Sequence, residues 1–122
     1  MTEKDFWVFL NSKLAQGRVE QMSAVMYSDD PQVREAGKYI GAHSFLPEGY
    51  DKISVTEIID MGRLLLDGMA SISTKEAIMV LLAHIPPKEA LNILKMYNRL
   101  PDAELKLFAQ LALDECEMWN EQ

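Results

Sequence analysis

Apolar residues recur along this chain at three- and four-residue spacing, the period of an α-helix with one buried face. The first such stripe is Phe6, Phe9, Leu10 and Leu14; Thr2 opens it as N-cap with Asp5 as box partner, and Gly17 stops it. Val19, Met22, Val25 and Met26 form a second stripe that runs to Asp29. Asp30 and Pro31 read as cap and first helical position of a third helix, with Val33, Ala36 and Ile40 inward and Gly41 closing it. Between Ala42 and Ile53 no period is visible, and Pro47, Gly49 and Asp51 supply turn chemistry, so this is the longest connection in the chain.

Ser54 and Glu57 form a capping box in front of Val55, Ile58, Ile59, Gly62, Leu65 and Leu66, and Gly68 ends that helix. Ser73 and Glu76 repeat the device before Ala77, Ile78, Leu81 and Leu82. The run Ile78 to Ala83 is apolar enough for a buried strand, but Lys75, Glu76 and Ala77 ahead of it favour helix. Pro86 and Pro87 break the chain and open a sixth helix with Ala90, Leu91, Leu94 and Tyr97 inward. Pro101 and Asp102 open the seventh, whose stripe is Leu105, Phe108, Ala109, Ala112, Cys116 and Trp119. The pattern predicts one all-α domain of about seven helices in antiparallel pairs, arranged as an α-α superhelix or as an irregular bundle.

An offset of 72 residues places Val19 on Leu91, Met22 on Leu94, Val25 on Tyr97, Asp30 on Asp102, Val33 on Leu105 and Arg34 on Lys106. One offset thus serves two helices and the turn between them. The turn Asp30-Pro31-Gln32-Val33-Arg34-Glu35-Ala36 resembles the opening of the second helix of a HEAT-like repeat, where an Asp cap, an aliphatic, a basic and a small residue recur. Pro101-Asp102-Ala103-Glu104-Leu105-Lys106, continuing to Ala109, is similar, so the resemblance covers residues 18 to 41 and 87 to 119. It implies stacked helix pairs forming a binding scaffold that presents one face to a partner.

Composition narrows the function classes. With 122 residues, 48% apolar and 25% charged, the chain is sized and composed for a single self-sufficient core. Acids outnumber bases 19 to 12, a net charge of −7 that disfavours a nucleic-acid backbone as partner. The run Phe6 to Leu10 is too short for a signal sequence, and no segment approaches the roughly 18 apolar residues that span a bilayer. Cys116, the only cysteine, permits no intrachain disulfide. Together these readings predict a cytoplasmic protein without membrane contact.

Chemistry-bearing residues are few. His43 and His84 stand alone, neither having a second His or Cys at metal spacing, and His84 in a last helical turn suits the helix dipole. Cys116 falls on the apolar stripe between Ala112 and Trp119 and reads as a buried thiol. No phosphate loop, nucleophile elbow or paired-histidine motif occurs, so neither a cofactor, a metal nor catalysis is expected. Asp114, Glu115 and Glu117 oppose the dipole at a helix C-terminus, which marks either a solvated face or a place for a basic partner or cross-helix Arg. Phe6 and Trp7 are adjacent and cannot share one core face, leaving a homodimer contact or a wider buried face. In the 42–53 connection, Phe45, Leu46 and Tyr50 are costly in water beside the polar His43, Glu48 and Asp51. They either fold back on the core or dock a partner.

The leading expectation is therefore a non-catalytic, HEAT-like adaptor that binds a protein. The alternative is an acidic regulator or immunity-type inhibitor of a basic partner. A third reading is a degenerate enzyme subunit with His43 in a loop site.

Overall fold

A computed structural model of the chain describes residues 1–11, 31–42, 46 and 49–120. Among these residues the architecture is helical throughout, with no strand: α1 (Glu3–Phe9), α2 (Pro31–Ala42), α3 (Val55–Asp67), α4 (Ile72–His84), α5 (Lys88–Arg99) and α6 (Lys106–Asn120). Single 3-10 turns at Tyr50–Lys52 and Ala103–Leu105 lead into α3 and α6. The stripe Val19 to Met26, the Asp30 cap, Gly17, His43 and Phe45 lie outside the described residues.

The caps follow side-chain chemistry. Thr2 Oγ1 accepts from the Asp5 amide at 3.1 Å while Asp5 accepts from the Thr2 amide at 3.0 Å. Ser54 and Glu57 make the same reciprocal pair at 3.2 and 3.1 Å. Gly68 closes α3 with φ 85°, a left-handed conformation that a side chain would strain. At α4 the expected Ser73–Glu76 box does not form; the cap is Ser71, whose hydroxyl accepts from the Thr74 amide. Ser71 wins because Glu3 of α1 reaches across to accept from the Ser71 amide at 2.8 Å and from the Thr74 hydroxyl. A carboxylate at a helix N-terminus also meets the positive end of the dipole.

Trp7 joins the same corner, its indole N–H donating to Thr74 Oγ1 at 3.0 Å, while Phe6 is fully buried beside it. The adjacent aromatics thus serve a wide buried face, with the two rings edge to face. Hydrogen bonds from Thr74 and Ser71 hold the Glu3 carboxyl below its ordinary range. A depressed carboxyl contributes stability that is complete above its unfolded value, about 4.3, and is lost as pH falls through the folded value. Glu3→Gln is therefore expected to flatten the acid limb of a melting-temperature profile below about pH 5. An unchanged acid limb would show that the clamp carries no linkage.

The centre of the molecule is α4. From Thr74 to Ala83 only Glu76 reaches solvent, because α2, α3, α5, α6 and the 3-10 turn at Tyr50–Lys52 all pack against it. A helix covered on every side is apolar on every side, which is why the run Ile78 to Ala83 imitates a buried strand. Neighbouring helices α3 and α4 touch, as do α5 and α6; α3 also packs on α5, and α4 on α6.

Three predicted faces are rotated from expectation. Ile40 is exposed and its neighbour Tyr39 is buried, with its ring edge-on to Phe108 at 5.0 Å, so α2 turns Tyr39 inward in place of Ile40. Along α3 the buried residues are Ile58, Met61, Gly62, Leu64 and Leu65, whereas Val55, Ile59 and Leu66 face outward because only one side of α3 is covered. The last stripe holds from Leu105 in the 3-10 turn to Cys116 on α6 and fails at Trp119, which is 51% exposed.

α2 runs through Gly41 to Ala42, and within the 42–53 connection Tyr50–Lys52 forms a 3-10 turn entered by Gly49 at φ 80°. Leu46 and Tyr50 are half-buried against the core.

Candidate cleft at the ends of two helices

Helices α4 and α6 bring their C-terminal ends to one place. There Tyr50, His84, Ile85, Pro86, Trp119 and Asn120 line an open cleft of about 450 Å³, within the range of small binding pockets. Pro86 ends α4 by chain chemistry, Ile85 is buried beneath it, and the 3-10 turn carries Tyr50 against His84, ring centroids 6.1 Å apart.

His84 is held at both nitrogens. Nδ1–H donates to the Val80 carbonyl at 2.8 Å, one turn back on the same helix, and Nε2 lies 2.8 Å from Glu115 Oε2. A carbonyl only accepts, so the Nδ1 hydrogen is fixed by its partner. The other Glu115 oxygen accepts from the Tyr39 hydroxyl. Three helices, α2, α4 and α6, are thereby tied through one carboxylate. Burial, then the bond to Glu115, pushes the Tyr39 phenol above its ordinary range. Both ring nitrogens of His84 are thus engaged within the fold.

The three C-terminal acids divide. Glu115 finds cross-helix partners, a histidine and a tyrosine, where the sequence offered a solvated face, a basic partner or a cross-helix arginine. Asp114 is exposed and accepts from Gln110 Nε2 on its own helix at 2.8 Å. Glu117 is half-buried beside Cys116. Cys116 is fully buried, its thiol donating toward the Leu82 carbonyl, and burial followed by Glu117 and Glu115 pushes it up to about 11. The side-chain amide of Asn120 donates to the Cys116 carbonyl at 2.9 Å and toward its sulfur, which leaves Oδ1 as the acceptor end of that side chain.

No protein-family model, curated protein or solved structure matches this chain. The cleft is accordingly read from its own chemistry. Among the described residues no group of three or more His, Cys, Asp or Glu is placed to hold a metal, and no helix is long and apolar enough to cross a membrane.

Of the residues singled out by sequence, the structure brings Tyr50 to the cleft and Glu115 to its wall, and keeps Asp114 and Leu46 out of it. Ile85, Pro86, Trp119 and Asn120 are lining residues that the pattern did not offer as binding groups, and His84 reads from sequence as a helix-end residue. Trp119 reads as the last member of a core stripe, and only its position at the outer end of α6 leaves it uncovered. A half-exposed indole is the one signal that sequence alone withholds.

Proposed function

We propose that this chain is a non-catalytic, protein-binding helical domain of HEAT-like construction that docks its partner at the cleft under Trp119. The observation that carries the reading is the indole itself. Leaving it half in water forgoes roughly 1 kcal/mol of burial, and its N–H, like the Tyr50 hydroxyl, donates to no other described group. Large aromatic bodies with a polar tip are the residues that dominate binding energy at interfaces.

Helix adjacency supports the scaffold part of the proposal. Two neighbouring pairs, with first helix on first and second on second, are what stacked helical repeats produce. Asp102 stands at the cap position of the repeat-like turn, although its carboxylate serves Lys75 and Tyr97 and caps nothing.

Trp119→Ala is expected to leave the melting temperature within about 2 °C of the parent, since surface truncations cost little. Proteins captured from the native cell by the parent, identified by mass spectrometry and titrated in purified form, should bind the variant roughly 30-fold more weakly. Equal affinity for parent and variant would sink the cleft as a docking site.

A further inference from the structure

Resting on that reading of the cleft, we infer that the group it seats is a guanidinium, an arginine side chain presented by a basic segment of the partner protein. The cleft is formed where the C-terminal ends of α4 and α6 meet, and each helix end concentrates partial negative charge on its last carbonyls. Every charged residue between Asp114 and Asn120 is an acid, in a chain of net charge −7, so the stretch that ends at the cleft is acidic although no acid lines the cleft itself. Lys52 and Lys88 flank the mouth in sequence and line none of it.

His84, the one lining residue able to carry positive charge, faces the Glu115 carboxylate at 2.8 Å, so the pair adds no net positive charge to the wall. Asn120, with its amide hydrogens engaged on Cys116, presents an acceptor. The aromatic faces of Trp119 and Tyr50 complete the set. A cation over an indole is attracted by the ring quadrupole, and a planar guanidinium stacks there with less desolvation than an ammonium. Two other peptide modes lack their structural requirement: strand addition needs a sheet edge, absent among the described residues, and a docked helix needs a groove several turns long.

The test uses the full chain labelled with nitrogen-15 and three hexapeptides that differ at one position, arginine, its uncharged isostere citrulline, and lysine. The Trp119 indole and Asn120 side-chain amide resonances are followed, with Trp7→Phe removing the second indole signal. The arginine peptide should shift both resonances saturably, the citrulline peptide should bind at least tenfold more weakly, and lysine should fall between. Trp119→Leu, which keeps apolar bulk without the π face, should abolish the arginine preference.

Equal shifts from arginine and citrulline, no shift at millimolar peptide, or tighter binding of an uncharged proline-rich peptide would each overturn the guanidinium assignment. So would shifts of the indole with protein concentration alone, because a second copy would then occupy the cleft. The wider reading stands or falls separately: a native partner whose affinity still depends on Trp119 would preserve the docking site while the arginine assignment fails.

Discussion

Removing the Asp102 carboxylate is expected to cost the fold about 3 kcal/mol or more, the largest effect of any single polar truncation in the described residues. Lys75 projects from the first turn of α4 with 2% of its side chain exposed, and its ammonium donates to Asp102 Oδ2 at 2.7 Å. The same oxygen accepts from the Tyr97 hydroxyl, and the Asp102 amide returns a hydrogen bond to that hydroxyl at 3.1 Å. The hydrogen bond from Lys75, then that from Tyr97, holds the Asp102 carboxyl below its ordinary range. Asp102→Ala leaves an ammonium in the interior with nothing to face, and the desolvation penalty of the charge is then uncompensated.

Lys75→Met removes the charge instead, keeps the apolar length, and leaves a carboxylate that is 37% exposed and still bonded to Tyr97; it should cost under about 1.5 kcal/mol. The double change should recover most of the loss of Asp102→Ala, a coupling of about 2 kcal/mol in a cycle measured by urea unfolding. A single Asp102→Ala midpoint indistinguishable from the parent would show that the ammonium reaches water and that its burial costs nothing.

Gly62→Val should destabilise by about 2 to 3 kcal/mol although it replaces a poor helix former inside a helix. A Cβ built on Gly62 lies 2.5 Å from Ile93 Cδ1, 2.9 Å from Cγ1 and 3.1 Å from Cγ2, so the α3 backbone rests directly on the Ile93 side chain of α5. The gain in helix propensity is under about 1 kcal/mol, whereas the clash involves the branch atoms of Ile93 and is relieved only by shifting its rotamer or spreading the helices. Shortening the neighbour should make room: Gly62→Val with Ile93→Ala is expected to be more stable than Gly62→Val alone, measured by thermal and urea melts. If Gly62→Val melts above the parent, the two helices are not as close as the structure places them.

Much of the helical framework is readable in the sequence itself. Thr2 with Asp5, Ser54 with Glu57, the left-handed Gly68 and the break at Pro86 and Pro87 act within a few residues of themselves, and each appears in place. The core of α6 from Leu105 to Cys116 was equally legible, because helical periodicity reports which face is apolar. Where local chemistry met a long-range competitor, the competitor won. Glu3, 68 residues from Ser71, moved the start of α4 away from the Ser73–Glu76 pair. The exposure of Ile40, Val55, Ile59, Leu66 and Trp119 escaped the pattern for a related reason: an apolar stripe states that a face is able to be buried, and says nothing of whether a neighbour arrives to cover it.

By itself, then, the sequence determined that the chain is helical, where most of its described helices begin and end, that Cys116 is buried, and that Tyr50 and the acids of the last helix were worth watching. Tertiary structure alone decided that α4 lies at the centre, that Gly62 is a point of helix contact, and that Asp102 answers a buried lysine 27 residues away. It also decided that Glu115 joins His84 and Tyr39 across separations of 31 and 76 residues, and that Trp119 stands open above the cleft. The division follows from range. Capping and periodicity depend on atoms within one or two turns, so they are written in short stretches of sequence. A site assembled from the ends of separate helices depends on the order and angle in which those helices pack, and on the long side chains that reach between them.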